Sequence, residues 1–210
     1  MRLAITAVEE ALVALVTRLQ RSLVVVHTGR EGSGAGVVWR RGGYIVTNDH
    51  VISHGLVGVT LPDGRERQAE VVARRPALDL ALLRVDAPEL PPVPIADARA
   101  AQVGQPVLAL GYPWGQRGRV TLGILSALGH ALQGDGYTPV PILCTDAALA
   151  PGNSGGSLVA LSGRVIGINA MIVGGDQGIA IPSHVVEAFV QEILGRVDRG
   201  IKRCVWQWWR

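Results

Sequence analysis

The stretch DAALAPGNSGGSL, residues 146–158, crowds Gly152, Gly155 and Gly156 around one hydroxyl, Ser154. Two chemistries use such a loop. Its backbone N–H groups can cradle a bound anion, or they can flank a nucleophilic serine and stabilise the oxyanion it creates. A phosphate loop needs a lysine after the glycines and a helix beyond it. Here no lysine follows, and SLVALSGRVIGI reads as strands. GNSGG also fits the Gly-x-Ser-x-Gly elbow, whose partners follow in the order serine, acid, histidine. Ser154, Asp176 and His184 are formal candidates. That elbow turns from a strand into a helix on a parallel sheet, and the chain lacks the alternation of strands and long helices that builds one.

The upstream residues offer a better match. YIVTNDHVI places His50 just past an apolar strand, and RRPALDLALLRV places Asp79 at the mouth of another. A serine hydroxyl is a poor nucleophile at neutral pH, so an imidazole must take its proton. A carboxylate on the other ring nitrogen fixes the tautomer that can do so. His50, Asp79 and Ser154 supply those three parts in one of the known orders. Blander roles exist, since Asp79 could cap a turn and His50 could be a core histidine. Asp49 is nearer to His50 in sequence, but neighbours on a strand point to opposite faces, which makes it a poor orienter. His27, His54, His130 and His184 have no matching partner set.

The loop sits in a β-rich chain. Short runs such as SLVVVHT, GAGVVWR, YIVTND, LALLRV, PVLALGY and RVIGINAMI recur between glycine-rich turns, and LPDGR at 61–65 is a hairpin signal. The prolines of residues 87–100 divide the chain into halves of about six strands each, which suits a closed barrel or a sandwich. Residues 1–21 read as an amphipathic helix with Val8, Leu12, Leu15, Val16 and Leu19 on one face. A last helix is expected from Ser183, as N-cap, to about Gly195. The expected divisions are residues 1–21, 22–96, 97–200 and a tail, 201–210.

Composition narrows the function. The chain has 210 residues, 48% of them hydrophobic and 18% charged, which describes a packed globular protein. Its net charge of +3 comes from scattered arginines without a basic run, so nucleic-acid binding is not expected. Two cysteines, Cys144 and Cys204, make no disulfide framework, and neither has a partner at metal-ligand spacing. No metal and no cofactor are expected. The N-terminal helix is neither a signal-peptide core nor a membrane span.

TNDHV around His50, DLALLRV from Asp79, GYPWG with VTLGILSALG, TDAALAPGNSGGSLV and GRVIGINAMI before GIAIPSHVV stand in a specific order and spacing. Together they resemble the HtrA (Deg) branch of the trypsin-like serine proteases, from about Val8 to Leu194. The resemblance implies two six-stranded antiparallel β-barrels with the His50–Asp79–Ser154 triad between them. It implies an oxyanion hole from Gly152, Asn153 and Ser154, chiefly the N–H groups of Gly152 and Ser154. Trypsin-like preference needs a carboxylate six positions before the serine, where this chain has Ala148. With Leu149, Ile179 and Ile181, Ala148 is expected to wall an S1 pocket for small or medium aliphatic residues in unfolded polypeptides or peptides. The resemblance also implies a homo-oligomer, specifically a trimer, and an extracytoplasmic location, although no signal peptide is read in the chain.

Departures accompany it. Position 49 is Asp where Asn is usual, Ile179 stands where an aromatic is common, GGDQGIAIP is short, and no counterpart of the branch's PDZ domain is expected within these residues. Trp206, Trp208 and Trp209 beside Lys202, Arg203 and Arg210 could meet a membrane interface, although packing against protein is the expected role. The expected function is therefore an ATP-independent serine endopeptidase. The rival is a peptide-binding scaffold whose oxyanion loop is not productively shaped.

Overall fold

The computed structural model describes residues 2–27, 32–52, 57–112, 118–132, 138–175 and 177–198, with side chains from residue 6 onward. His54, Asp176, Cys204, residues 113–115 of GYPWG and the tryptophan-bearing tail lie outside the described residues.

The first six strands are β1 (Leu23–His27), β2 (Ser33–Arg40), β3 (Tyr44–Thr47), β4 (Val57–Thr60), β5 (Glu66–Arg75) and β6 (Leu80–Val85). They close in the order β1-β2-β3-β6-β5-β4, every pair antiparallel. The next six are β7 (Pro106–Gly111), β8 (Arg119–Leu132), β9 (Pro139–Thr145), β10 (Ser157–Ala160), β11 (Val165–Val173) and β12 (Gln177–Pro182). They close in the order β7-β8-β9-β12-β11-β10. Two closed six-stranded barrels result, not a sandwich. The Asp-Gly signal is a hairpin turn, with Gly64 at φ +95° and its N–H on Leu61 O at 2.9 Å.

Burial on both strand faces explains why so many strands read as unbroken apolar runs. Val24, Val26, Val38, Ile45, Val59 and Leu83 fill the first barrel. Ala109, Leu125, Leu143, Leu158, Ile166 and Ala180 fill the second. The alternate residues, including Val25, Val37, Trp39, Leu80, Leu108, Leu110 and Ile168, form a third core in the seam between them. A strand with one face in a barrel and the other in the seam has no solvent face to mark its period.

Two helices finish the body. In α1 (Arg2–Gln20), Leu15 and Leu19 are buried in the seam core, whereas Val8 at the other end of the expected stripe is exposed. Among the described residues, no helix is long and apolar enough to cross a membrane. The last helix, α2 (Ser183–Asp198), continues past the expected stop at Gly195, and an Arg196–Glu192 ion pair of 2.8 Å one turn apart supports the added turn. The Ser183 hydroxyl works as a tie, donating to Ala96 O at 2.5 Å and accepting from Ala98 N at 3.0 Å. It therefore binds the inter-barrel connection and not its own helix.

The helix α2 straps the second barrel to the first. Glu187 accepts from Trp39 Nε1 at 3.0 Å and pairs with Arg40 of β2. Arg75, at the end of β5, pairs with Glu192 at 2.8 Å and lies over the Phe189 ring.

Candidate active site

Two short 3₁₀ turns at the rim of the first barrel bring the histidine and the aspartate together. One spans Asp49–Val51 after β3, and the other spans Pro76–Leu78 before β6. Asp79 ends the second turn in the left-handed region (φ 51°, ψ 44°), the one non-glycine residue with positive φ among the described residues. Aspartate tolerates that conformation better than most side chains. Asn48 Nδ2 donates to Asp79 O at 2.9 Å and fixes the main chain there.

The Asp79 carboxylate accepts from the His50 main-chain N–H at 3.0 Å. It also lies 2.8 and 2.9 Å from ring Nδ1, so Nδ1 carries the proton and Nε2 is left to the cleft. That hydrogen bond raises the His50 pKa above its ordinary value; partial burial opposes the rise, and the charges of Asp79 and Asp49 add to it. The linked stability has a definite sign. A raised folded-state pKa means that the protonated imidazole stabilises the fold, fully below pH 6.5. This contribution is lost as the pH rises through the folded value.

Asp49 lies on a turn, not on a strand, so the strand argument against it does not apply. The structure separates it from His50 Nδ1 in another way. Its buried carboxylate faces Arg74, with Nε 2.6 Å from Oδ1.

Ser154 comes from the loop between β9 and β10 of the second barrel. Ala150 to Asn153 form a turn closed by Asn153 N on Ala150 O at 2.9 Å. Pro151 presets its first central position, and Gly152 at φ +98° makes it type II. In the type I alternative the central peptide would be turned over by about 180° and Gly152 would have φ near −90°. Gly152 is buried, and among the described residues its N–H and that of Ser154 are given to no acceptor. A buried residue with an unpaired N–H is uncommon, and Gly152 is one; Ser154 beside it is half-buried. The Asn153 amide, expected to share that role, is already committed to Ala150 O. Ser154 O accepts from Ala35 N of β2 at 2.8 Å, which bonds the loop directly to the first barrel.

The three side chains line one cleft of about 570 Å³, with Leu149, Ala170, Met171 and Ile172 among its walls. In this state the Ser154 hydroxyl donates to Ala170 O at 2.8 Å and not to His50. Of the residues expected to form a side-chain pocket, Leu149 lines the cleft and the other three do not. Ala148 is exposed, with its carbonyl held by Thr121 Oγ1 at 2.8 Å. Ile179 is buried in register with Met171 and Cys144, and Ile181 joins the seam core. Met171 and Ile172 take the walling positions, 51% and 40% exposed, at the end of β11. The sequence signal for them was the apolar run INAMIV continuing to Gly174–Gly175.

His184 falls in the first turn of α2, where burial lowers its pKa, and the Ser154 loop leads into antiparallel β10. Neither placement fits a strand-to-helix elbow.

Comparison with known proteins agrees with this geometry. The family described as "Trypsin-like peptidase domain" matches residues 34–168. A Marinomonas protein named "Probable periplasmic serine endoprotease DegP-like" is 43% identical over 178 residues, covering 81% of this chain and 38% of its own length. A Haemophilus influenzae "Probable periplasmic serine protease do/HhoA-like" is 42% identical over 180 residues, covering 81% and 39%. The chain thus spans less than two fifths of these relatives. The crystal structure of the serine endoprotease from Yersinia pestis superposes with a TM-score of 0.76 at 34% identity, covering 86% of this chain and 65% of that one. The HtrA-type protease AlgW with tripeptide gives 0.77 at 35% identity, covering 85% and 62%. With the family match running from β2 into β11, the chain belongs to the trypsin-like peptidase domains, in their HtrA/DegP-type branch.

Proposed function

We propose that the chain is a serine endopeptidase domain that cleaves unfolded or exposed polypeptide through an acyl-enzyme. The observation that carries this reading is His50 held through Nδ1 by Asp79 at 2.8 Å, in the cleft that Ser154 lines. A turn of the Ser154 hydroxyl from Ala170 O toward Nε2 starts the reaction. Ser154 Oγ attacks the scissile carbonyl carbon while Nε2 takes its proton, and Asp79 stabilises the imidazolium. The carbonyl oxygen becomes an oxyanion that the N–H groups of Gly152 and Ser154 bind. Collapse breaks the C–N bond, and His50 gives its proton to the leaving amine. Water then repeats the sequence on the acyl ester. Each oxyanion donor contributes about 2.7–4 kcal/mol of transition-state stabilisation.

The substrate reading rests on β11. Up to Ile168 this strand pairs with β10, but among the described residues the stretch from Met171 to Val173 pairs with β12 alone. Its free edge beside the cleft suits an extended peptide added as a further strand. Leu149, Met171 and Ile172 favour a small or medium aliphatic residue before the scissile bond. A methylene discriminates by about 1–3 kcal/mol in such a pocket, so the preference is loose. Homotrimeric assembly is inferred from resemblance alone, and an extracytoplasmic location from the relatives' names.

Fluorophosphonate labelling and a peptide-library digest test the proposal. Ser154 should be labelled, with cleavage after Val, Ala or Leu at least about tenfold over Lys or Arg. Predominant cleavage after basic residues would refute the pocket. Because the base must be neutral, kcat/KM should rise with pH through a midpoint above 6.5, the opposite sense to the stability effect of His50. A midpoint at or below 6.5 would count against His50 as base.

The hydroxyl bonded to Ala170 O favours a second reading, a peptide-binding scaffold. Peptide binding without any labelling of Ser154 would select it.

A further inference from the structure

The last two residues of β5 are both arginines, and they reach opposite ways. Arg75 is part of the α2 strap, whereas Arg74 reaches the turn that carries His50. Its Nε lies 2.6 Å from Asp49 Oδ1, and its Nη2 donates to Asp49 O at 3.2 Å and Ile52 O at 3.4 Å. One guanidinium thus ties one carboxylate and two main-chain carbonyls at the two ends of the 3₁₀ turn, Asp49 at its start and Ile52 just past its last residue. The Asp49 side chain is 11% exposed, so a partner from solvent would serve it poorly.

This arrangement answers a problem set by the sequence. A second carboxylate adjacent to the base could draw the imidazole away from Asp79 or add its own charge to the site. We propose that Arg74 is a positioning residue for the reaction above: it holds Asp49 and its turn so that Asp49 does not compete with Asp79 for His50. Among the described residues, the charged groups bearing on the imidazole are Asp79 from the second turn, Asp49 from its own turn, and Arg74 of β5 through Asp49. The inference rests on His50 as general base, but its physical core is a charge balance that can be read without catalysis.

The test uses the full chain as wild type, Arg74→Met, Arg74→Lys, Asp49→Asn and the Arg74→Met/Asp49→Asn double variant. Two readouts are followed against pH: the His50 ring proton shift by NMR, and the fluorophosphonate labelling rate of Ser154. Arg74→Met leaves Asp49 unpaired and should raise the His50 midpoint by roughly half a unit to one unit. Asp49→Asn leaves the guanidinium uncompensated and should lower it by a similar amount. The double variant should return to within about 0.2 unit of wild type, and Arg74→Lys, which keeps the charge, should stay there too. An unchanged midpoint in Arg74→Met, or a double variant that keeps its displacement, overturns the proposal. Should Arg74→Met not fold, Asp49→Asn decides, and an unmoved midpoint there also overturns it. NMR midpoints that move as expected while no variant is labelled would support the charge balance and refute the peptidase reading.

Discussion

Replacing Ser154 with alanine is expected to lower kcat on a peptide substrate by about a million-fold, with His50→Ala matching it. The two losses should coincide because neither group acts without the other: the hydroxyl needs an acceptor for its proton, and the imidazole needs that hydroxyl to activate. The double variant should therefore be little worse than either single one. Asp79→Asn should cost about ten-thousand-fold. Its carboxylate takes both the ring and main-chain N–H of His50, and an amide in its place can present the wrong partner to Nδ1. Steady-state turnover of a chromogenic peptide, normalised to folded protein, measures all three. Cleavage that survives His50→Ala and disappears with His184→Ala would overturn the assignment.

The second large effect is on stability. Gly155→Ala should destabilise the protein by about 3–5 kcal/mol, lowering Tm by roughly 10 °C for a domain of this size. Gly155 has φ +82°, where a side chain is strained, and an added Cβ would overlap the carbonyl oxygen of Ala35 and crowd Thr47 Oγ1. Those atoms already form a buried bond, Thr47 Oγ1 donating to Ala35 O at 2.7 Å, so they have little freedom to retreat. Because Ser154 O is bonded to Ala35 N, activity should fall further than stability alone explains. Calorimetry beside kcat per folded molecule checks this, and a wild-type Tm would refute the packing argument.

Much of this was readable in the chain. The paired apolar runs gave the strands, and Asp-Gly gave a turn. The serine loop, read with His50 and Asp79, gave the candidate site and its order. What was hidden shares a physical cause. Ile179 and Ile181 are expected as pocket walls from their place in GIAIP and the resemblance, but from Gly178 onward both faces of β12 are buried and alternation cannot say which faces a cleft. Met171 and Ile172 became visible once β11 was seen to outrun its pairing with β10. Ser183 reads locally as a cap, and its use as a tie depends on Ala96 and Ala98, far away in sequence. Asp49 looked remote by strand geometry, yet its separation from the imidazole is set by Arg74 on another strand.

The bond from Ala35 N to Ser154 O bears on how such a molecule is made. The chain leaves the ribosome with the first barrel ahead of the second, so the proposed base and its aspartate are synthesised long before the nucleophile. Neither half alone contains a complete set of reacting groups. Under the proposed chemistry, a half-made chain cannot cut its neighbours, and proteolysis begins when the seam closes.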